Sequence, residues 1–307
     1  MINKRVGVAV NAFSQNQTLV SELKTHFKIC DFNETGKRLE GTDLIEFLKP
    51  CECAIISLEK LNAEILKHLP NLKVIGKYGV GLDNINFQLL EKNNIKLLYT
   101  SGVNRYEVAE MTLGFVISCL RNIHYNSNLN KSFIWNKDGG ISIQESIIGI
   151  IGLGNIGSEI ARLLMLLGAK KILYFDIERK QNLENKILQY STIEDLLSRA
   201  DVITIHIPGE KNENYLNNDL ISKIKKGSSI INTSRGCILD YDSIFKALED
   251  DKLSNLCLDV YPNEPFFEEI IKNPKILCTP HISGNSNQAK LKMGRSVIKN
   301  LLSHYEN

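Results

Sequence analysis

Three polar residues follow apolar runs late in this chain, and together they could handle a carbonyl and a proton. Arg235 stands in Asn232-Thr233-Ser234-Arg235-Gly236 after Ser228–Ile231, Glu264 in Asn263-Glu264-Pro265 beyond Leu256–Asp259, and His281 in Thr279-Pro280-His281 beyond Ile276–Leu277. Short apolar runs are strand signals, and open α/β sheets bind ligands at the C-terminal ends of their strands. A guanidinium fork at such an edge can hold a carboxylate and a neighbouring carbonyl by charge-assisted bonds. A carboxylate beside an imidazole orients the ring and favours its protonated form, which suits His281 to move a proton near neutral pH. Each residue alone has an ordinary structural or surface reading; the trio in this order is the stronger signal.

Such residues need a scaffold and a reaction partner, and residues 146–176 supply both. Ile147-Ile148-Gly149-Ile150-Ile151 reads as a strand, Gly152-Leu153-Gly154-Asn155-Ile156-Gly157 as a glycine turn, and Ile172-Leu173-Tyr174-Phe175-Asp176 as a second strand ending in an acid. Between them Ile160, Leu163, Leu164 and Leu167 form one apolar helical stripe, with Gly168 as its stop. Gly152 permits the tight turn, Gly154 lets amides approach a pyrophosphate, and Gly157 lets the helix lie on the sheet, with the phosphates at a helix N-terminus. Asp176 can accept from adenosine ribose hydroxyls and would repel a 2′-phosphate, so the motif favours NAD over NADP; Arg179 and Lys180 close by blunt that preference.

Composition excludes other classes. A chain of 307 residues suggests about two domains, and 43% hydrophobic residues suffice for their cores. A net charge of +2, with basic and acidic residues interspersed, gives no basic face for nucleic acid, so the expected partner is small. The N-terminus lacks a signal-peptide pattern, and no apolar run approaches the roughly 18 residues of a membrane span. Seven cysteines without C-x-x-C spacing indicate neither a disulfide framework nor a zinc site, and the expected location is a reduced cytoplasm.

Strand-like runs at Val6–Val10, Cys53–Ser57, Lys73–Lys77 and Lys96–Tyr99, with a helix over Leu61–Leu69, imply a first parallel sheet. A second series runs from Ile147 through Lys171–Phe175, Asp201–Ile207, Ser228–Asn232, Leu256–Val260 and Ile276–Thr279. The expected fold is α/β, with two parallel-sheet domains of Rossmann-like or flavodoxin-like type and the active site in the cleft between them.

At this point the sequence resembles the NAD-dependent D-isomer-specific 2-hydroxyacid dehydrogenases, which include phosphoglycerate dehydrogenase. The resemblance runs from Pro70 through Lys77-Tyr78-Gly79-Val80-Gly81-Leu82-Asp83-Asn84 and Val108-Ala109-Glu110 to Thr279-Pro280-His281-Ile282-Ser283-Gly284. It implies catalysis by Arg235, Glu264 and His281. It also implies a cofactor site of Gly152, Gly154, Asn155, Ile156, Gly157, Asp176, His206, Pro208, Thr233, Ser234, Arg235, Asp259, His281 and Gly284, with Asp259 facing the nicotinamide carboxamide. The bare residues at His206-Ile207-Pro208 fit a plain strand terminus as well. Lys77, Tyr78, Gly79, Val80 and Gly81, with Arg235, would form the substrate site through loop amides; a turn with a buried tyrosine fits Lys77-Tyr78 equally. No metal is implied.

The resemblance further implies a substrate domain of residues 1–99 and 284–307, with 288–305 returning as a helix, and an NAD-binding domain of residues 100–283. A homodimer would form through that domain, with an arm around Trp135. The chain departs from the family at Gly209-Glu210-Lys211-Asn212-Glu213-Asn214, where a rearranged loop is expected, and at Asn155, where arginine or histidine is frequent. Only a short segment follows His281, so an appended regulatory domain is not expected. The implied reaction is hydride transfer between NAD(H) and C2 of a small D-2-hydroxy or 2-keto acid, phosphorylated like 3-phosphoglycerate or simple like hydroxypyruvate or glyoxylate. Alternatives on the same frame are an NAD(H)-sensing co-regulator and a formate- or phosphite-type dehydrogenase.

Overall fold

Apolar, β-branched runs become parallel strands buried on both faces, as expected where helices cover each side of a sheet. The computed structural model describes Met1–Glu306. It divides into two units, Met1–Asn104 with the chain from Ser286 onward, and Arg105–Asn285.

The first unit holds β1 (Ile2–Val8), β2 (Phe27–Phe32), β3 (Cys53–Ile56), β4 (Val74–Lys77) and β5 (Lys96–Leu98). They pair in parallel in the order β2-β1-β3-β4-β5, the flavodoxin-like arrangement. Successive side chains alternate between faces. Cys53 and Ile55 pack with Val6 and Val8 in one core, while Ala54 and Ile56 pack with Leu44, Leu48 and Leu66 in another. The helix Asn287–Tyr305 belongs to this unit and buries Ala289, Met293, Val297 and Leu301, a stripe at four-residue spacing, in the first of these cores. Ser296 and Asn300 donate to Thr100 Oγ1, which keeps residues just past β5 with this unit. The boundaries accordingly fall after Asn104 and Asn285, a few residues beyond 99 and 283.

The second unit holds β6 (Ile147–Ile151), β7 (Lys171–Phe175), β8 (Leu188–Tyr190), β9 (Val202–Ile205), β10 (Ser228–Asn232), β11 (Leu253–Leu258) and β12 (Ile276–Cys278). Their order is β12-β11-β10-β9-β6-β7-β8, all parallel, so the chain switches direction across the sheet between β6 and β9. Ligands bind at such switch points. The helix Asn155–Leu166 covers β6 with Ile160 and Leu164 fully buried. Leu167, assigned to the same stripe from sequence, is 43% exposed because it caps the helix, and Gly168 turns away at φ +79°.

Strands β2 and β8 carry no sequence signal. Each lies at a sheet edge, where one neighbour suffices, and polar positions such as the exposed Lys28 and the half-buried Gln189 break the apolar run. No helix among the described residues is long and apolar enough to cross a membrane.

Candidate active site

Strands β10, β11 and β12 are adjacent, so the segments leaving their C-terminal ends share one edge. Asn232, fully buried at the end of β10, accepts from the Ser234 amide (3.0 Å) and hydroxyl (2.9 Å) and donates to the Arg235 carbonyl (2.8 Å). These bonds fold Thr233-Ser234-Arg235 into a fixed turn. Thr233 is tied to Thr112, one hydroxyl 3.0 Å from the other, and Arg235 Nη1 donates to the Ser234 carbonyl at 2.6 Å. The next residue must be glycine. A Cβ on Gly236 would lie 1.9 Å from the Tyr261 carbonyl carbon, so the Arg235 turn rests directly on the backbone that leaves β11.

That segment carries Glu264, and the one leaving β12 carries His281. His281 Nδ1 and Glu264 Oε2 are 2.8 Å apart, with the side chains 47% and 36% exposed. The other carboxylate oxygen of Glu264 accepts from the Tyr261 amide at 3.1 Å. His281 sits at φ +54°, a left-handed conformation that costs a non-glycine residue on the order of 1–2 kcal/mol and persists only where neighbours enforce it. Asp259 enforces it. Its buried carboxylate accepts from Thr279 Oγ1 (2.6 Å), the Ile282 amide (2.8 Å), and the Ser283 amide (2.8 Å) and hydroxyl (2.5 Å). Four donors fill a carboxylate's usual capacity. Asp259, which the family resemblance implies to face a nicotinamide carboxamide, accepts these bonds from the turn that mounts His281, just ahead of Gly284.

The switch-point edge carries the glycine motif. Gly152 turns at φ +93°, and a Cβ there would lie 2.6 Å from the His206 carbonyl oxygen; one on Gly157 would lie 2.1 Å from the Gly152 oxygen. Gly154 caps the helix Asn155–Leu166 and has open space on its Cβ side, with Asn155 and Ile156 forming the first turn. Asp176 accepts from the Leu153 amide at 2.7 Å and from the Glu178 amide at 3.0 Å, which fixes it beside the glycine turn. Arg179 makes a two-bond pair with Glu184 (2.8 and 2.9 Å), and Lys180 pairs with Glu178, so both cations are engaged. His206 Nε2 lies 2.7 Å from Thr204 Oγ1, its Nδ1 is buried without a partner, and burial lowers its pKa to about 3, so the ring is neutral. Past the exposed Pro208, the atypical loop docks on the turn after Arg235: the Asn214 amide donates to the Cys237 carbonyl at 2.8 Å.

In the first unit Lys77 ends β4 and Tyr78 follows it. Lys77 is 3% exposed and donates to the Ser57 carbonyl and to Asn84 Oδ1 (2.9 Å), while Asn84 donates to the Ser57 and Glu59 carbonyls (3.0 and 2.8 Å). Tyr78 is 4% exposed, packs edge-on against Phe13 and donates to the Lys290 carbonyl at 3.1 Å. Both side chains are buried and bonded within the first unit. Gly79-Val80-Gly81 follow as half-buried residues, with Gly79 at φ +109°.

A family profile described as "D-isomer specific 2-hydroxyacid dehydrogenase, NAD binding domain" matches residues 113–283, more than half of the chain. The chain belongs to this family. It is 32% identical over 255 residues to the glyoxylate reductase of Thermofilum pendens, covering 80% of this chain and 75% of that one. It is 30% identical over 275 residues to the hydroxypyruvate reductase of Thermotoga maritima, covering 87% and 89%. A D-lactate dehydrogenase from Aquifex aeolicus, solved with NAD and lactic acid, shares the fold with a TM-score of 0.82 at 23% identity over 98% and 95% of the two chains.

A dinucleotide of the kind this family binds fits the switch-point edge on local grounds. The space beside Gly154 admits a pyrophosphate at the amides of a helix start, Asp176 is held where a ribose would follow, and His206 Nδ1 is a buried polar atom without a partner. Asn232, Thr112 and Tyr261 carry no role in the sequence pattern, yet each is hydrogen-bonded to the named residues or their turns. Only Asn232 left a usable signal, since Asx residues at strand ends commonly fold the following turn.

Proposed function

We propose that this chain interconverts a small D-2-hydroxy acid and its 2-keto acid with NAD(H), on a substrate of the glyoxylate or hydroxypyruvate class. The names of the two relatives support the substrate class. The observation that carries the reaction is the 2.8 Å His281–Glu264 pair on the sheet edge that also presents Arg235.

NAD, when bound, supplies or accepts the hydride at C2. Glu264 holds Nδ1 of His281, so Nε2 is the nitrogen that gives a proton to the keto oxygen in reduction and takes it from the hydroxyl in oxidation. Arg235 holds the carboxylate and polarises the keto group, a task for a planar fork fixed by its own backbone turn. The Gly79–Gly81 loop of the first unit carries backbone amides of the kind that can bind a carboxylate. Acid–base catalysis supplies on the order of 10²–10⁴ in rate, and alignment and electrostatics must supply the rest. Gly152, Gly154, Asn155, Ile156 and Gly157 hold the pyrophosphate and Asp176 the ribose.

A homodimer is the proposed assembly. Phe133, Ile134 and Trp135 are consecutive apolar residues at 99%, 53% and 76% exposure, a patch that association would cover. A reducing cytoplasm suits seven free cysteines, among them Cys119 and Cys257 with sulfurs 3.4 Å apart.

The test is a comparison of 2-keto acids with matching aldehydes at saturating NADH, in the wild type and in Arg235→Lys. The keto acid should be preferred by roughly a hundredfold, and the lysine variant should lose most of its activity because an ammonium cannot reproduce the fork. Equal turnover of acid and aldehyde would defeat the proposal.

A further inference from the structure

Tyr261 touches all three parts of the proposed catalytic edge. Its backbone meets Gly236, so tightly that no side chain fits between, and thereby seats the turn that carries Arg235. Its amide donates to Glu264 Oε1 at 3.1 Å. Its hydroxyl donates to the carbonyl of Thr279, two residues before His281, at 2.9 Å, and approaches the Leu258 carbonyl at 3.2 Å. Its ring stacks on Phe266, with centroids 4.8 Å apart and planes within 11°. One residue thus sets the carboxylate from one end and the histidine segment from the other.

We infer that Tyr261 is the positioning residue that holds Glu264 and His281 in register through its hydroxyl bond to Thr279, an inference that rests on the acid–base reading above. The left-handed backbone at His281 makes such a tie necessary. Asp259 anchors the segment mostly on the far side of the histidine, at Ile282 and Ser283, and on the near side Tyr261 holds the carbonyl one residue before Pro280. Burial pushes the phenol far above its ordinary pKa, so the group stays a donor at every working pH.

The experiment compares Tyr261→Phe, Phe266→Ala and His281→Ala in glyoxylate reduction with NADH. Tyr261→Phe keeps the ring and the amide and removes only the hydroxyl. Its kcat should fall about tenfold with NADH affinity nearly unchanged. The alkaline limb of its pH–rate profile should move down by roughly half a pH unit, because a loosened carboxylate stabilises the imidazolium less. Phe266→Ala keeps the hydroxyl and should lower Tm while leaving that limb in place. A Tyr261→Phe enzyme that loses only Tm, or a Phe266→Ala enzyme whose limb moves as far, would overturn the inference, since either outcome makes Tyr261 a packing residue. An inactive His281→Ala beside an unaltered Tyr261→Phe removes Tyr261 alone; an active His281→Ala removes the acid–base reading and this inference with it.

Discussion

The turn after β4 and the turn after β12 make an instructive pair. Each leaves the C-terminal end of a parallel strand, and a nitrogen base stands at each, Lys77 as the last residue of β4 and His281 in the turn after β12. Lys77 is 3% exposed, its ammonium bonded to a carbonyl and to Asn84; the side chain of His281 is 47% exposed and held at one nitrogen only. A buried cation must have its donors satisfied, which turns it into a brace for the backbone around it. An imidazole gripped at Nδ1 by a carboxylate keeps its second nitrogen for exchange with a ligand. Under the proposed function the first turn would offer amides and the second a side chain.

Substitution at the two bases should separate these roles. His281→Ala is expected to cut turnover at least roughly a hundredfold with NADH binding intact, measured by steady-state kinetics and fluorescence titration. Near-wild-type turnover would place the two turns on the same footing. For Lys77→Met the loss should instead appear in stability, about 1–3 kcal/mol by urea denaturation, from unmade bonds around Ser57 and Asn84. An unchanged denaturation midpoint with a large rise in keto-acid KM would return Lys77 to the substrate.

Histidines on the second unit sharpen the contrast with His281. Burial lowers the pKa of His124, which lies between Ser118 Oγ and the Lys275 carbonyl, and takes His206 to about 3. Unfolded, both bind a proton near 6.5, so between the folded and unfolded values the unfolded chain carries more protons. For His206 that contribution is complete above about pH 6.5 and is lost as pH falls toward about 3, at up to about 1.4 kcal/mol per pH unit, and His124 acts in the same direction. Urea midpoints measured from neutral to acid pH should fall accordingly, and His206→Gln should flatten the slope. A slope unchanged by that variant would mean that His206 titrates alike in both states.

The smallest effect is expected at Asp176. Asp176→Ala should weaken NADH binding roughly tenfold, through a lost ribose acceptor and a loosened Leu153 amide. NADPH should gain less than NADH loses, because Arg179 and Lys180 are already paired with Glu184 and Glu178. A wild type that uses both cofactors equally would remove Asp176 as the selecting group.

Periodicity and turn chemistry in the sequence determined the two parallel-sheet units, the glycine turn with its following acid, and the nomination of Arg235, Glu264 and His281. These are local properties: an apolar run buried on both faces, a glycine where no Cβ fits, a polar residue just past a strand. The strands β2 and β8 were illegible because polar residues such as Lys28 and Gln189 interrupt their short apolar runs. Burial of Lys77, the spending of Asp259 on four donors of the 279–283 turn, and the junction at Tyr261 were decided only by the tertiary structure. The reason is that a polar side chain's role depends on which donors and acceptors surround it. Several of the partners lie 18 or more residues away, as Thr279 does from Tyr261 and from Asp259, and meet only when neighbouring strands pair.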